Sequence, residues 1–368
     1  MREVASSQAV ESICSDDVHT QEEVQQQGSF DPMDFTRFQR KVLIMLHLCA
    51  GQRRFGDLQS QVEWMGHYYQ MTVCMLSLDV AIDPVRGNLC SNQTIRFWVR
   101  CCHAGKVIAF FGGPPCESWS AIRAAPVEKL HPCKPPPRPL RSANNLWGLP
   151  GLSFCEYRRV DTGNRLLQAF LEIAWAVYRS GGVGVLEHPE DLAWRTSDHP
   201  SIWRTTAIRS LKERDAIDKV SFDQCITGQI AKKPTHLLLI RASRVKDILM
   251  RFGNRGRCNH PDTYDPQTGE RIPAHPPLKG IDPTTGTWRT RPAKQYTPVL
   301  CAALAGGVLQ TIRSAKGFMA SDHLSVDQIP EEFRVFVQSF DPYQVGVCSK
   351  PALHTNFFAG AAGALESK

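Results

Sequence analysis

The chain has 368 residues, 42% hydrophobic and 21% charged, which is the balance of a globular protein long enough to pack one large domain. Its net charge of +7 is unevenly spread: residues 1–35 sum to −7 and residues 317–368 to −3, so the 281 residues between carry +17 and favour a polyanionic partner such as nucleic acid. Thirteen cysteines without a pairing rhythm, no amino-terminal apolar signal segment, and no apolar run of the roughly 20 residues that cross a bilayer argue for a reduced, intracellular protein away from membranes.

Residues 1–35 are rich in Ser, Gln and acids and lack periodicity, so disorder is expected there. Strand and helix signals then alternate from 42 to about 245, the pattern of an α/β domain with a doubly wound, mostly parallel sheet, here placed at 36–316. Val42 to Leu48 reads as a buried first strand entering a tight turn at Cys49-Ala50-Gly51, with Gln52-Arg53-Arg54 next. Thr72 to Leu78 reads as a second strand ending in Asp79, and an acid at that place commonly takes ribose hydroxyls; Asp83 competes for the role.

Val107 to Phe111 is an apolar run that ends in Gly112-Gly113, turns through Pro114-Pro115 and presents Cys116. The prolines fix φ on the turn, and chemistry gathers at the carboxyl ends of strands in open α/β sheets. Gly-Gly-Pro-Pro offers no packing rationale of its own, so Cys116 reads as a nucleophile rather than as a small buried hydrophobe.

Residues 126–151 hold too many prolines for helix or central strand. In that loop Arg138 and Arg141 are candidates for phosphate contacts and Trp147 for a wedge in a base stack, with a solvated linker as the alternative. Leu166 to Tyr178 reads as a mostly buried helix. Val183 to Leu186 is another short strand, ending in Glu187-His188-Pro189; the acid is either a site residue or the cap of a helix beginning near Glu190-Asp191. A basic loop with Lys232 and Lys233 precedes the strand Leu237 to Ile240.

Residues 251–291 are rich in Gly, Pro, Asn and Thr. Cys258, His260 and His275 raise a zinc question there, but structural zinc takes four ligands, and no metal is expected. Tyr296 to Ala305 has the pattern of an amphipathic core helix. The tail 317–368 has an apolar cluster around Phe333 to Phe340 and an unstructured-looking end, and is expected to be partly disordered.

Gly113-Pro114-Pro115-Cys116 resembles the nucleophile motif of the cytosine-C5 methyltransferases, which have Gln where this chain has Glu117. The remaining segments follow in that family's order. The resemblance implies that the Cys116 thiolate adds to C6 of a flipped cytosine, making C5 nucleophilic enough to take a methyl group from S-adenosyl-L-methionine. It implies that Glu187 bonds N3 of that base, with His188 standing where the family has Asn. His47-Leu48-Cys49-Ala50-Gly51 is similar to the family's Asp-Leu-Phe-Ala-Gly, which implies a cofactor pocket at Leu48, Ala50 and Gly51 with Asp79, Pro114 and Tyr296.

Lys232 and Lys233 stand where a Gln-x-Arg motif points basic groups into the site. The 126–151 loop corresponds to one that closes over DNA, and 251–291 to a short recognition insert. Within the family the chain is similar to a divergent, mobile-element-associated group from dinoflagellate algae, which shares Gly87-Asn-Leu89, Pro-Pro-Cys-Glu and Leu-Glu-His-Pro. The implied function is DNA cytosine-C5 methylation in the nucleus. An RNA cytosine substrate, or an inactive nucleic-acid-binding scaffold, are the alternatives; Gln52-Arg53-Arg54, in place of a glycine-rich turn, supports the scaffold. A thiol hydrolase would need a histidine base, and no spacing singles out His47, His103 or His188.

Overall fold

The computed structural model describes residues 42–120, 123, 138–192, 198–278, 280–282 and 284–315. The segments expected to be disordered, 1–35 and 317–368, lie outside the described residues, as do both edges of the 36–316 domain and most of the proline-rich stretch before Arg138.

Six strands form one sheet: β1 (Leu43–Leu48), β2 (Val73–Leu78), β3 (Val107–Gly112), β4 (Val183–Pro189), β5 (Ile217–Asp223) and β6 (Pro234–Ile240), in the order β2-β1-β3-β4-β6-β5. The pairs β2-β1, β1-β3 and β3-β4 are parallel, whereas β6 runs antiparallel to both β4 and β5. The expected doubly wound α/β architecture is present with that one reversed strand. Hydrophobic pattern does not encode strand direction, so the reversal was not readable.

The three strands β1, β2 and β3 are buried at every position. Their sequences are apolar throughout rather than alternating, because helices cover both sheet faces. One face packs Met45, Met75 and Phe111 against α1 (Leu58–Tyr68), α5 (Ser243–Leu249) and α6 (Pro298–Arg313). The other packs Ile44, Leu46 and Phe110 against α2 (Asn92–His103), α3 (Phe154–Ser180) and α4 (Thr206–Lys212).

The helix expected over 166–178 is the second half of α3, which begins with a Ser153/Glu156 capping box and stops at Gly181 in the left-handed region. No described helix is long and apolar enough to cross a membrane.

From β1 the chain first moves outward to β2, then returns across β1 to β3 on its other side. The loops leaving β1 and β3 therefore diverge, and that divergence opens a crevice at their carboxyl ends. A small antiparallel hairpin, β7 (Thr263–Tyr264) with β8 (Arg271–Ile272), stands apart from the main sheet.

Candidate active site

At the end of β3 the backbone squeezes between its neighbours. A Cβ on Gly112 would lie 2.2 Å from the carbonyl oxygen of Leu48 in β1. On Gly113 it would lie 2.6 Å from both the carbonyl and the Oε2 of Glu187 in β4. The expectation that Gly-Gly-Pro-Pro lacks a packing rationale is thus corrected: only glycine lets this exit pass the ends of β1 and β4. The passage puts half-buried Cys116 under the influence of Glu187 and Lys233.

Glu187 is 7% exposed and fully engaged. Its Oε1 accepts from Gln224 Nε2 at 3.1 Å and Lys233 Nζ at 3.3 Å, and its Oε2 accepts from the Tyr296 hydroxyl at 3.2 Å. Gln224 follows β5 and Lys233 precedes β6; the Gln224 amide donates to the Lys233 carbonyl at 3.0 Å, closing that connection beneath the acid. Gln224 also donates to Thr235 Oγ1 at 3.0 Å. Among the described residues the next α-helix after Glu187 is α4, from Thr206, and Glu190 and Asp191 are not helical, so no described helix is capped by this acid. Gln224 was missed as a site residue; nothing local in the sequence distinguishes it from an ordinary polar residue at a strand end.

The hydrogen-bonding capacity here is only partly spent. Gln224 Oε1 and both ring nitrogens of His188 are buried without a partner. Burial, aided by the Lys233 charge, pushes His188 down to about 3, so the ring is neutral at physiological pH. It packs edge-on against Trp203, with ring centroids 6.3 Å apart.

Burial also raises the Cys116 thiol above its ordinary range. Lys233 and Lys294 pull it down while Glu187 and Glu117 push it up, and burial prevails. Neighbouring cations that favour the thiolate are therefore present, but in the resting protein desolvation outweighs them. Lys294 itself pairs with Glu117 beside the cysteine.

Most of the residues expected to line a cofactor pocket lie one strand over. Gly51, at φ +68°, donates its N–H to Asp79 Oδ2 at 2.9 Å, joining the ends of β1 and β2. Asp83 is occupied by its own turn, accepting from the amides of Val85 and Arg86 at 2.9 Å each. Asp79 is therefore the acid facing the Gly51 turn. Gly87 explains part of the Gly-Asn-Leu signature, because a Cβ there would sit 2.2 Å from the Asp79 carbonyl.

Ala50 borders this turn, its amide 3.4 Å from the Leu78 carbonyl, and Pro114 is buried beside the cysteine. Leu48 is corrected in part: its side chain is buried in the core, so only its backbone faces the crevice. His47 stacks on Tyr296 at 6.4 Å and 22°, and burial lowers it to about 4, leaving it neutral. The two arginines of the divergent turn are both tied down: Arg53 Nε donates to Asp57 at 2.6 Å, and Arg54 donates to the Tyr296 carbonyl at 2.6 Å.

The residues expected to meet nucleic acid separate into different roles. Arg138 is exposed and forks onto Glu156 with two bonds of 2.7 Å. Arg141 is corrected outright: it is 1% exposed and cannot reach a phosphate. Its guanidinium bonds Ser118 Oγ, Asn164 Oδ1 and the carbonyls of Leu146 and Val160, and lies 3.8 Å over Trp119. Burial lowers it to about 9, which still leaves it charged at neutral pH. Arg141 thus fixes the segment two residues beyond Cys116.

Trp147 packs edge-on against Trp119, centroids 6.1 Å apart. Lys232 turns outward to Asp223 at 3.5 Å, while Lys233 turns inward to Glu187. No protein-family model matches the chain, and no curated protein matches it.

Proposed function

We propose that the protein transfers a methyl group from S-adenosyl-L-methionine to C5 of cytosine in DNA. The observation that carries this reading is the close passage at Gly113, by which adjacent strands deliver a cysteine and a triply hydrogen-bonded carboxylate to one crevice. A thiol and a carboxyl held on a common side of a parallel sheet suit a flat heterocycle that needs a nucleophile at one edge and a proton-sharing partner at another.

In this reading the cytosine leaves the stack, since its C6 and C5 are unreachable within a duplex. The Cys116 thiolate bonds to C6, electron density moves toward C5 and N3, and Glu187 holds the proton shared with N3. Lys233, Gln224 and Tyr296 keep the carboxyl oriented. After C5 is alkylated, a base such as water takes the C5 proton, and the electron pair of that bond restores the ring double bond and expels the thiolate. Burial favours the thiol form of Cys116 in the resting protein, so in this reading the thiol loses its proton before it bonds C6.

The turn fits the proposed cofactor. A Cβ at Gly51 would meet nothing within 4 Å, so the turn opens on free space, and Asp79 offers ribose hydroxyls a half-buried carboxylate. Bound there, S-adenosyl-L-methionine supplies an electrophilic methyl group. Gly51, Asp79 and the backbone of Leu48 and Ala50 would hold it, and Tyr296 would border it through its contacts with His47 and Arg54. The charge of +17 over residues 36–316 supports a nucleic acid as substrate.

The test is covalent trapping on DNA and RNA containing 5-fluorocytosine, with and without S-adenosyl-L-methionine. An adduct on DNA that requires the cofactor and vanishes in Cys116→Ala is the expected result. An adduct on RNA alone would move the substrate class. Salt-sensitive binding with no adduct on either polymer would identify a scaffold without the chemistry.

A further inference from the structure

Four ligand-type side chains meet at the carboxyl end of β5, away from the cofactor turn. Cys225 lies in the 3₁₀ turn directly after β5, Cys258 and His260 follow the tight turn at Asn254–Arg257, and His275 follows β8. Their Sγ and ring nitrogen atoms all lie within 4.8 Å of one another. Cys258 Sγ is 3.4 Å from His260 Nδ1 and 3.2 Å from His275 Nε2. Tetrahedral zinc, with bonds of about 2.3 Å to sulfur and 2.0–2.1 Å to nitrogen, places S and N vertices roughly 3.5 Å apart. The two imidazoles stand nearly perpendicular, at 81°, so they do not stack face to face but approach one point from different directions.

The surroundings have the features of a built site. His275 keeps Nε2 for the cluster because its Nδ1 is 2.9 Å from the Ile230 carbonyl, the usual outer hydrogen bond of a metal-binding histidine. The Cys258 amide donates to Asp223 Oδ2 at 2.9 Å, fixing that ligand's backbone to the end of β5. There is also a reason for a cross-link. Among the described residues from Arg251 to Pro292, only Phe252, itself partly buried, packs against the apolar core, and both strands of the β7-β8 hairpin are exposed. A two-stranded hairpin of that size does not hold itself together in water, and small coreless segments are commonly fixed by a metal. His260 and His275 stand three residues outside the two ends of that hairpin.

We propose that Cys225, Cys258, His260 and His275 form a four-coordinate structural zinc site that pins the 251–291 segment to the end of β5. Two thiolates and two neutral imidazoles suit Zn²⁺. Binding releases the two thiol protons, and the two thiolate charges cancel that of the ion. All four coordination positions are filled by protein, so the role is structural. Because Cys225 directly follows Gln224, the same cross-link steadies the residue that bonds Glu187. The proposal stands independently of methyl transfer.

The test uses the full chain expressed with zinc supplementation. Elemental analysis should find a single zinc ion per chain, lost in Cys258→Ser and in Cys225→Ser but retained in Cys155→Ser, whose thiol is exposed on α3. Cobalt(II) added to chelated wild type should give tetrahedral d–d bands with thiolate charge transfer. Hydrogen exchange should show residues 258–275 opening on chelation while the β1–β4 amides stay protected, which separates loss of metal from global unfolding. Chelated wild type that takes up no cobalt, zinc retained by both serine variants, or a Cys225–Cys258 disulfide in freshly purified protein would each overturn the site.

Discussion

The Cys116–Glu187 crevice and the 251–291 segment are built from opposite materials. The crevice stands on the buried ends of β3 and β4, and its carboxylate is held by hydrogen bonds from Gln224, Lys233 and Tyr296 in the connections beside it. Among its described residues the segment gives the apolar core only the partly buried Phe252, and it otherwise has turns, ion pairs and the Cys/His cluster. Packing specifies position by excluding alternatives, whereas a coreless segment must be tied at chosen points. Equivalent substitutions should therefore be costly in one region and mild in the other.

Arginine removal should show the widest gap. Arg141→Met strands Ser118, Asn164 and two carbonyls in the interior and should cost about 4 kcal/mol. Arg271→Met, which breaks only the exposed pair with Asp262, should leave the urea midpoint unchanged. Equal losses would erase the distinction between the two regions.

Acid should act on the packed region next. His47 and His188 are held neutral, at about 4 and about 3 against an ordinary value of 6.5. The unfolded chain takes up their protons first, so their stabilising share is complete above 6.5 and is lost as pH falls toward the folded values. Together they should cost about 2 kcal/mol between pH 6.5 and 5.5. A urea series across that range in His47→Phe should be flatter than in wild type; identical slopes would mean that His47 takes no part.

A single methyl sharpens the contrast. Gly113→Ala meets Glu187 at 2.6 Å and should destabilise by about 2 kcal/mol while reducing adduct formation at least tenfold. Gly286→Ala, at φ +63° with nothing within 4 Å, should cost about 1 kcal/mol from its backbone conformation and leave the adduct unaffected. Full trapping by Gly113→Ala would contradict the packing account of the crevice.

The smallest effect concerns the thiols. Lys233→Met removes a charge that lowers the Cys116 thiol, so alkylation at a fixed pH near neutrality should slow severalfold, and Glu187→Gln should accelerate it. Cys225 and Cys258 should label only after chelation. Unchanged Cys116 labelling in both variants would place those charges too far away to matter.

What the sequence revealed divides along the same line. Apolar runs ending in an acid, a glycine pair or a cysteine are local patterns, so β1 to β4 and the positions of Gly51, Asp79, Cys116 and Glu187 were legible. The direction of β6 and the role of Gln224 depend on which strands become neighbours, and no local pattern records that. Arg141 was misread because charge suggests the surface, and only the folded chain shows four separate acceptors converging on it. The fourth metal ligand was hidden for the same reason: Cys225 belongs to a different turn from its partners.

Tyr296 touches both sides of the crevice at once. Its ring lies on His47, its carbonyl accepts from Arg54, and its hydroxyl donates to Glu187, while Thr297 caps the helix that follows. The Gly51 side and the Glu187 side, proposed above for cofactor and base, therefore share a residue instead of meeting at a boundary. Groups that share a partner do not contribute additively. Effects measured singly at His47, Arg54 and Glu187 will not sum to the effect of changing them together, and sorting these residues into separate binding and catalytic classes would count Tyr296 twice.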